Sequence, residues 1–251
     1  MTCNNHNDRQ LDDLASMIID SKRTFALTGA GISTDSGIPD FRSPGGFWDK
    51  HNPMETSSAT ILYNNPKLFY EVNIPRYEAI MNSMPNDGHK VLSWLENRGY
   101  IQGIITQNID GLHQKAGSKS VIEIHGSVAK CRCDTCNIKE PMEHLFAQIN
   151  EGIIPPKCSS CKSILRPDIV LFEDSMDERF FKAQQVLTGC DLLLIIGTSL
   201  QVYPAAYLPD KAKKLVIINK SETPWDSYAH YVFNCEITSN LMKIKAILEA
   251  L

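Results

Sequence analysis

Apolar residues fall in five short runs, at Thr24–Thr28, Gly103–Thr106, 121–124, Leu192–Ile196 and Leu215–Ile218, with helix-length or loop-length stretches between them. Several runs are apolar without alternation, the pattern of strands covered on both faces. Strands of that kind alternating with helices predict an α/β fold: a parallel sheet with helices on both sides. Two stretches break the pattern. Residues 43–88 are rich in Pro, Asn and aromatics, with helix-like pieces at 66–70 and 74–81, and read as a helical insertion over the sheet. Residues 130–165 hold clustered cysteines. No internal repeat or low-complexity segment is visible.

Length and composition fit this picture. A chain of 251 residues, 43% hydrophobic and 22% charged, supplies a large core plus a smaller appendage. A net charge of −4 argues against an acidic tail or polyanion binding. The first twenty residues are polar and then mildly amphipathic, with no basic stretch leading into an apolar run and a cleavage site. The most apolar strand is about a quarter of the length a membrane-crossing helix needs. A cytoplasmic protein with no membrane association is expected.

The cysteines sharpen that expectation. Five of the eight lie between Cys131 and Cys161, and Cys133-x-x-Cys136 is separated from Cys158-x-x-Cys161 by twenty-one residues. Paired knuckles at this spacing predict one structural zinc held by Cys133, Cys136, Cys158 and Cys161, since four thiolates leave no coordination position for water. Cys131 is expected to stay outside the site. Cys3, Cys190 and Cys235 look unrelated to it. The same stretch carries Glu140, Glu143 and Glu151 and no basic stripe with interleaved aromatics, so direct nucleic-acid binding is not expected.

Immediately after the first strand comes Gly29-Ala30-Gly31-Ile32-Ser33-Thr34-Asp35-Ser36-Gly37, a strand-to-helix turn suited to a pyrophosphate. A Gly-x-Gly pair alone is equally a tight turn without a ligand. Thr34 replaces the third glycine of the dinucleotide fingerprint, and no acidic residue follows at a strand end about twenty positions on, which disfavours a hydride-transfer dehydrogenase. A later strand ends in Asn219, placed to bond a ribose if that strand neighbours the first. His125 follows a strand and precedes Gly126, so it belongs at the carboxyl edge of the sheet. A lone histidine is more often structural. Gln107, Asn108 and Asp110 also lie just beyond a strand, however, and all four would line one crevice. For Asp110 the bland reading is a helix cap; for Pro85-Asn86-x-x-His89 it is a helix start.

With Gly37-Ile38-Pro39-Asp40-Phe41-Arg42 appended, residues 29–42 resemble the cofactor loop of the sirtuins, NAD-dependent protein deacylases, in a bacterial-type form. Thr106-Gln107-Asn108-Ile109-Asp110-Gly111-Leu112-His113, His125-Gly126, Leu165-Arg166-Pro167-Asp168-Ile169-Val170 and Gly197-Thr198-Ser199-Leu200-Gln201-Val202-Tyr203-Pro204 are similar to further segments of that family, in order. The resemblance implies a Rossmann-like NAD-binding domain from residues 1–42, 89–127 and 166–251. The insertion 43–88 and the zinc module 128–165 would form a small zinc-ribbon and helical subdomain.

It also implies chemistry. NAD is a consumed co-substrate: the acyl-lysine carbonyl oxygen attacks the ribose carbon as nicotinamide leaves, giving an imidate, and water then yields free lysine and an O-acyl-ADP-ribose. Neutral His125 is the base that takes a ribose hydroxyl proton, with Asn108 and Asp110 in the inner pocket. Gly29, Ala30, Gly31, Thr34, Asp40, Phe41, Arg42, Gln107, Ile109, Gly197, Thr198, Ser199 and Asn219 are the further cofactor contacts. The acyl-lysine peptide enters as a strand between 169–172 and 201–203, with Val170, Phe172, Val202 and Tyr203 against it. An ADP-ribosyltransferase, using another nucleophile at the same carbon, is the alternative. A non-catalytic NAD-sensing protein is disfavoured because His125, Asn108 and Asp110 are all present.

Two departures stand out. Glu173 occupies a position where the family usually has glycine, removing the residue most at ease with left-handed backbone angles; on that reading Glu173→Gly should tighten peptide binding. Tyr70 is followed three residues on by Asn73, where the branch acting on acidic acyl chains carries Arg. Acetyl or longer neutral acyl groups are therefore expected.

Overall fold

The computed structural model describes residues 6–41, 46–47 and 52–251. Six strands, β1 (Thr24–Thr28), β2 (Gly103–Thr106), β3 (Val121–Glu123), β7 (Leu192–Ile196), β8 (Leu215–Ile218) and β9 (Tyr231–Phe233), form one sheet in the order β3-β2-β1-β7-β8-β9. Every pairing in it is parallel. Parallel strands need crossovers, and helices supply them on both faces. Along each strand alternate side chains serve opposite faces. Ala26, Ile104, Leu192, Leu194, Ile196, Val216 and Ile218 pack with α1 (His6–Asp20), α5 (Asp87–Asn97) and α9 (Ile237–Ala250). Leu27, Ile105, Leu193, Ile195 and Ile217 pack on the other side with α8 (Glu178–Leu187). Each fully buried aliphatic side chain stabilises the fold by roughly 1.5–3 kcal/mol over its exposed state.

The remaining strands, β4 (Gly126–Cys133), β5 (Lys139–Pro141) and β6 (Leu165–Ile169), make a separate antiparallel sheet ordered β5-β4-β6. Strands β4 and β6 run across positions 127/128 and 165/166. Helix α7 (Met142–Asn150) packs on this sheet through Met142 and Leu145. Its other cover comes from 52–82, where α2 (Pro53–Thr56) and α3 (Ala59–Asn64) lead into α4 (Pro66–Asn82). The spacing predicts two helical pieces there, but α4 runs unbroken through Pro75. Pro75 lacks the N–H that would bond back one turn. Phe69, Tyr70, Ile74, Tyr77 and Ile80 nevertheless share one core with Val128, Cys131 and Leu165, and that burial carries the helix past the proline. Tyr70 Oη donates to Leu165 O at 2.7 Å, tying α4 to β6. α6 (Leu112–Lys115) is a single turn after β2. Among the described residues no helix is long and apolar enough to cross a membrane.

Candidate active site

Because all six strands of the large sheet are parallel, their carboxyl ends open on one edge, and the chain reversal around β1 leaves a crevice there. A cavity of ≈ 780 Å³ occupies it. Its wall includes Gly29, Ala30, Gly31, Thr34, Asp40 and Phe41 after β1, Gln107, Asn108, Ile109 and Asp110 after β2, and His125 after β3. Gly197, Thr198 and Ser199 after β7 and Asn219 after β8 complete the inner side, with Val170, Phe172, Val202 and Tyr203 at the outer. Arg42 lies outside the described residues. Asn219 reaches this wall although its strand does not neighbour β1; β7 lies between.

The Gly-x-Gly turn is shaped first by backbone packing. Gly31 N donates to Gly197 O at 2.8 Å, and a Cβ on Gly31 would lie 2.8 Å from Gly197 Cα. Gly197 itself has φ +63, and a Cβ there would lie 2.5 Å from Ile32 N. Two loops thus meet through bare backbone, which no other residue type permits. The 3-10 turn Ala30–Ser36 then directs Ser33 inward.

Ser33 joins the polar residues of the floor. Its Oγ donates to Asp110 Oδ2 at 2.7 Å and accepts from Asn108 Nδ2 at 3.1 Å; Asn108 Nδ2 also reaches Gly29 O at 3.2 Å. Asp110 Oδ1 accepts from Leu112 N at 2.9 Å, so the carboxylate satisfies the first N–H of α6 from one residue before its Gly111 cap and holds the site together at once. Sequence reasoning left Ser33 without a role; its signal was a hydroxyl inside the turn, one position before Thr34. Behind it Ser33 Oγ lies 3.4 Å from His89 Nε2, and Thr28 Oγ1 lies 2.9 Å from His113 Nε2. These two buried imidazoles have ring centres 5.0 Å apart. Asn86 begins α5 as the sequence suggests, accepting from His89 N at 3.3 Å, and its Nδ2 holds Ile32 O at 2.8 Å.

His125 Nδ1 lies 3.0 Å from Gln107 O. A carbonyl only accepts, so Nδ1 carries the hydrogen and Nε2 keeps its lone pair. Burial pushes the imidazole pKa below its usual value, the Gln107 carbonyl opposes the shift, and Arg179 adds to it. The ring is therefore neutral at pH 7. Gln107 Nε2 donates to Thr198 Oγ1 at 2.8 Å, linking the loops after β2 and β7.

On the outer side Val170 N donates to His125 O at 2.9 Å. Phe172 is fixed by backbone bonds to the insertion: its N–H to Ser57 O at 3.3 Å and its carbonyl to Ala59 N at 3.0 Å. Glu173 does take the left-handed conformation, with φ +73. The expectation that glutamate forfeits it is not met, and the contacts of its side chain explain why, as argued below. Asn73 is buried, giving Nδ2 to Thr56 O at 2.7 Å and Phe69 O at 2.8 Å. It supplies no charge to the cavity. One turn on, however, Arg76 lines it, with its guanidinium 4.6 Å from the Phe41 ring centre and 4.7 Å from that of Phe47. Sequence reasoning passed over this cation.

At the far end of β4 the sulfurs of Cys133, Cys136, Cys158 and Cys161 all lie within 4.8 Å of one another. Cys133 and Cys161 Sγ are 3.4 Å apart, Cys136 and Cys158 Sγ 3.6 Å. Four sulfurs ~2.3 Å from one tetrahedral ion have edges of about 3.8 Å, so the cluster fits zinc. Cys131 Sγ instead faces Glu140 O and Pro141 O, each at 3.4 Å, and burial pushes its thiol up to about 12.

The Sir2 family model matches residues 29–204, most of the chain and the loops after β1, β2, β3 and β7. The chain belongs to the Sir2 family. It is 44% identical over 237 residues to NAD-dependent protein deacetylase 2 of Caldanaerobacter subterraneus subsp. tengcongensis, covering 94% of this chain and 95% of that protein. The NAD-dependent protein deacetylase of Saccharolobus solfataricus is 43% identical over 237 residues, covering 93% and 95%. A solved Sir2 structure with p53 peptide and NAD+ superposes with a TM-score of 0.87 at 36% identity, over 95% of this chain and 98% of that one. One with deacetylated p53 peptide and 3'-O-acetyl ADP-ribose gives 0.89 at 36% identity, over 94% and 97%. In this Sir2 chain the polar floor, His125 and the outer strand segments belong to one continuous cleft.

Proposed function

We propose that this Sir2 chain is an NAD-dependent protein lysine deacylase that moves the acyl group to ADP-ribose and releases nicotinamide. The observation that carries the reading is the His125 ring: neutral, hydrogen-bonded through Nδ1, and lining the cleft with Nε2 free to take a proton. Bound NAD supplies the electrophilic ribose carbon and the hydroxyls. Asn108 and Asp110, fixed by Ser33, hold the inner end of the cleft for nicotinamide. Gly29, Ala30, Gly31, Thr34, Asp40, Phe41, Arg42, Gln107, Ile109, Gly197, Thr198, Ser199 and Asn219 are the remaining cofactor contacts. Val170, Phe172, Val202 and Tyr203 line the outer cleft, where an acyl-lysine peptide would add as a strand. Cys133, Cys136, Cys158 and Cys161 would hold a structural zinc bracing β4, and a site of four reduced thiolates supports a cytoplasmic location. Residues 1–42, 89–127 and 166–251 are read as the NAD-binding domain, with 43–88 and 128–165 as the small one.

Incubation with NAD and an acetyl-lysine peptide, following peptide mass and nicotinamide together, tests this. Equal yields of deacetylated peptide and nicotinamide are expected. Nicotinamide release with ADP-ribose added to protein and no deacylation would instead establish the transferase reading.

A further inference from the structure

A non-glycine residue at φ +73 persists only where its surroundings hold it there. Around Glu173 the restraints come from two sides. Behind it, Asp174 closes the turn by accepting from Leu171 N at 2.8 Å and is clamped by the buried Arg166. In front, the partner is the helical insertion: Thr60 N donates to Glu173 Oε2 at 2.9 Å. Hydrogen bonding by Thr60, through its side chain and then its backbone, holds the Glu173 carboxyl below the ordinary range. The insertion is itself anchored, because Asn73 Nδ2 holds Thr56 O and Ser57 Oγ donates to Asn73 Oδ1 at 3.3 Å. An unbroken path therefore runs from α4 through 56–60 to Phe172 and Glu173. Those last two residues form the wall against which the substrate strand would lie.

We propose that Glu173 is a positioning residue for the peptide: its carboxylate latches the 170–174 segment to Thr60 at the start of α3 and so holds the strand-binding wall ready. The side chain replaces, with a bond of its own, the conformational freedom a glycine would bring. This rests on the deacylase reading for what the wall binds. The latch bond joins Glu173 to Thr60, neither of which is assigned to catalysis or to NAD, so its effect is expected in peptide affinity.

The test compares wild type with Glu173→Ala, Glu173→Gln and Thr60→Pro. Proline at the second residue of α3 removes both the donor N–H and the hydroxyl while suiting a first helical turn. Losing the hydrogen bonding between Thr60 and Glu173 should raise the peptide KM about five-fold in Glu173→Ala and in Thr60→Pro, with kcat and the NAD KM held. The double variant should be no worse than either single one. Glu173→Gln, which keeps an acceptor oxygen, should recover most of the affinity. Anisotropy of a labelled acetyl-lysine peptide reads the same order without turnover. An unchanged peptide KM in Glu173→Ala overturns the latch, as does a parallel loss of kcat, NAD affinity and melting temperature, which would mark a general fold defect. Wild type that binds the peptide without deacylating it would sink the deacylase reading and leave the latch standing. Wild type that binds no peptide would sink both.

Discussion

At the scale of single residues, His125 is set up by one hydrogen bond and its burial. With Nδ1 committed to Gln107 O, the imidazole cannot present the wrong tautomer to the cleft. His125→Ala should lower turnover by about 10²–10⁴-fold while NAD binding, measured calorimetrically, survives. The pH profile carries the sign of the shift. A base is active when unprotonated, and burial moves this pKa below 6.5, so the acid limb of kcat should fall below that of an unperturbed imidazole. An acid limb above pH 7 would contradict the assignment of His125 as that base. That His125, Asn108 and Asp110 share one crevice was legible in the sequence because each follows an apolar strand. Ser33 and Arg76 were not, because their importance lies in partners from distant segments: Asp110 for one, Phe41 and Phe47 for the other. Glu173 was legible as an anomaly but not in its consequence, since Thr60 is far from it in sequence.

At the scale of elements, the Gly-x-Gly turn does two jobs. Its sequence suggests close approach to phosphates; the structure adds that Gly31 and Gly197 are packed backbone to backbone. Gly31→Ala should therefore cost about 1–3 kcal/mol in urea unfolding, by overpacking, even with no NAD present. Full stability in the absence of NAD would show that the loops separate easily and that the glycine serves the ligand alone. The strands of the large sheet were readable because burial on both faces leaves unbroken apolar runs. Strand β9 escaped notice because it is three residues long with only Phe233 buried. The continuity of α4 was hidden by Pro75, whose local preference is outweighed by the aromatic face that the helix buries.

At the scale of the molecule, acid should weaken the fold through the two histidines beneath the site. Burial lowers His89 to about 4 and His113 to about 3, whereas both titrate near 6.5 once unfolded. Between those values the unfolded chain binds more protons, so stability is fully present above pH 6.5 and is lost as pH falls through about 4 toward 3. Thermal unfolding midpoints should drop across that window, and His113→Gln should flatten the slope; an equal slope in the variant would place the acid sensitivity elsewhere.

The order of strands in the large sheet also bears on how the chain reaches this state. The central strand β1 lies between β2 and β7, and at the start of the β1–β7 pair Arg23 N meets Asp191 Oδ2 across 168 positions of sequence. Such a pairing closes a long loop before its contacts repay the entropy, which slows folding. During synthesis one edge of β1 stays unpaired until β7 has emerged from the ribosome, three quarters of the way along. Until then the most apolar part of the molecule is a half-finished sheet, the stage at which chaperone capture or aggregation competes with folding.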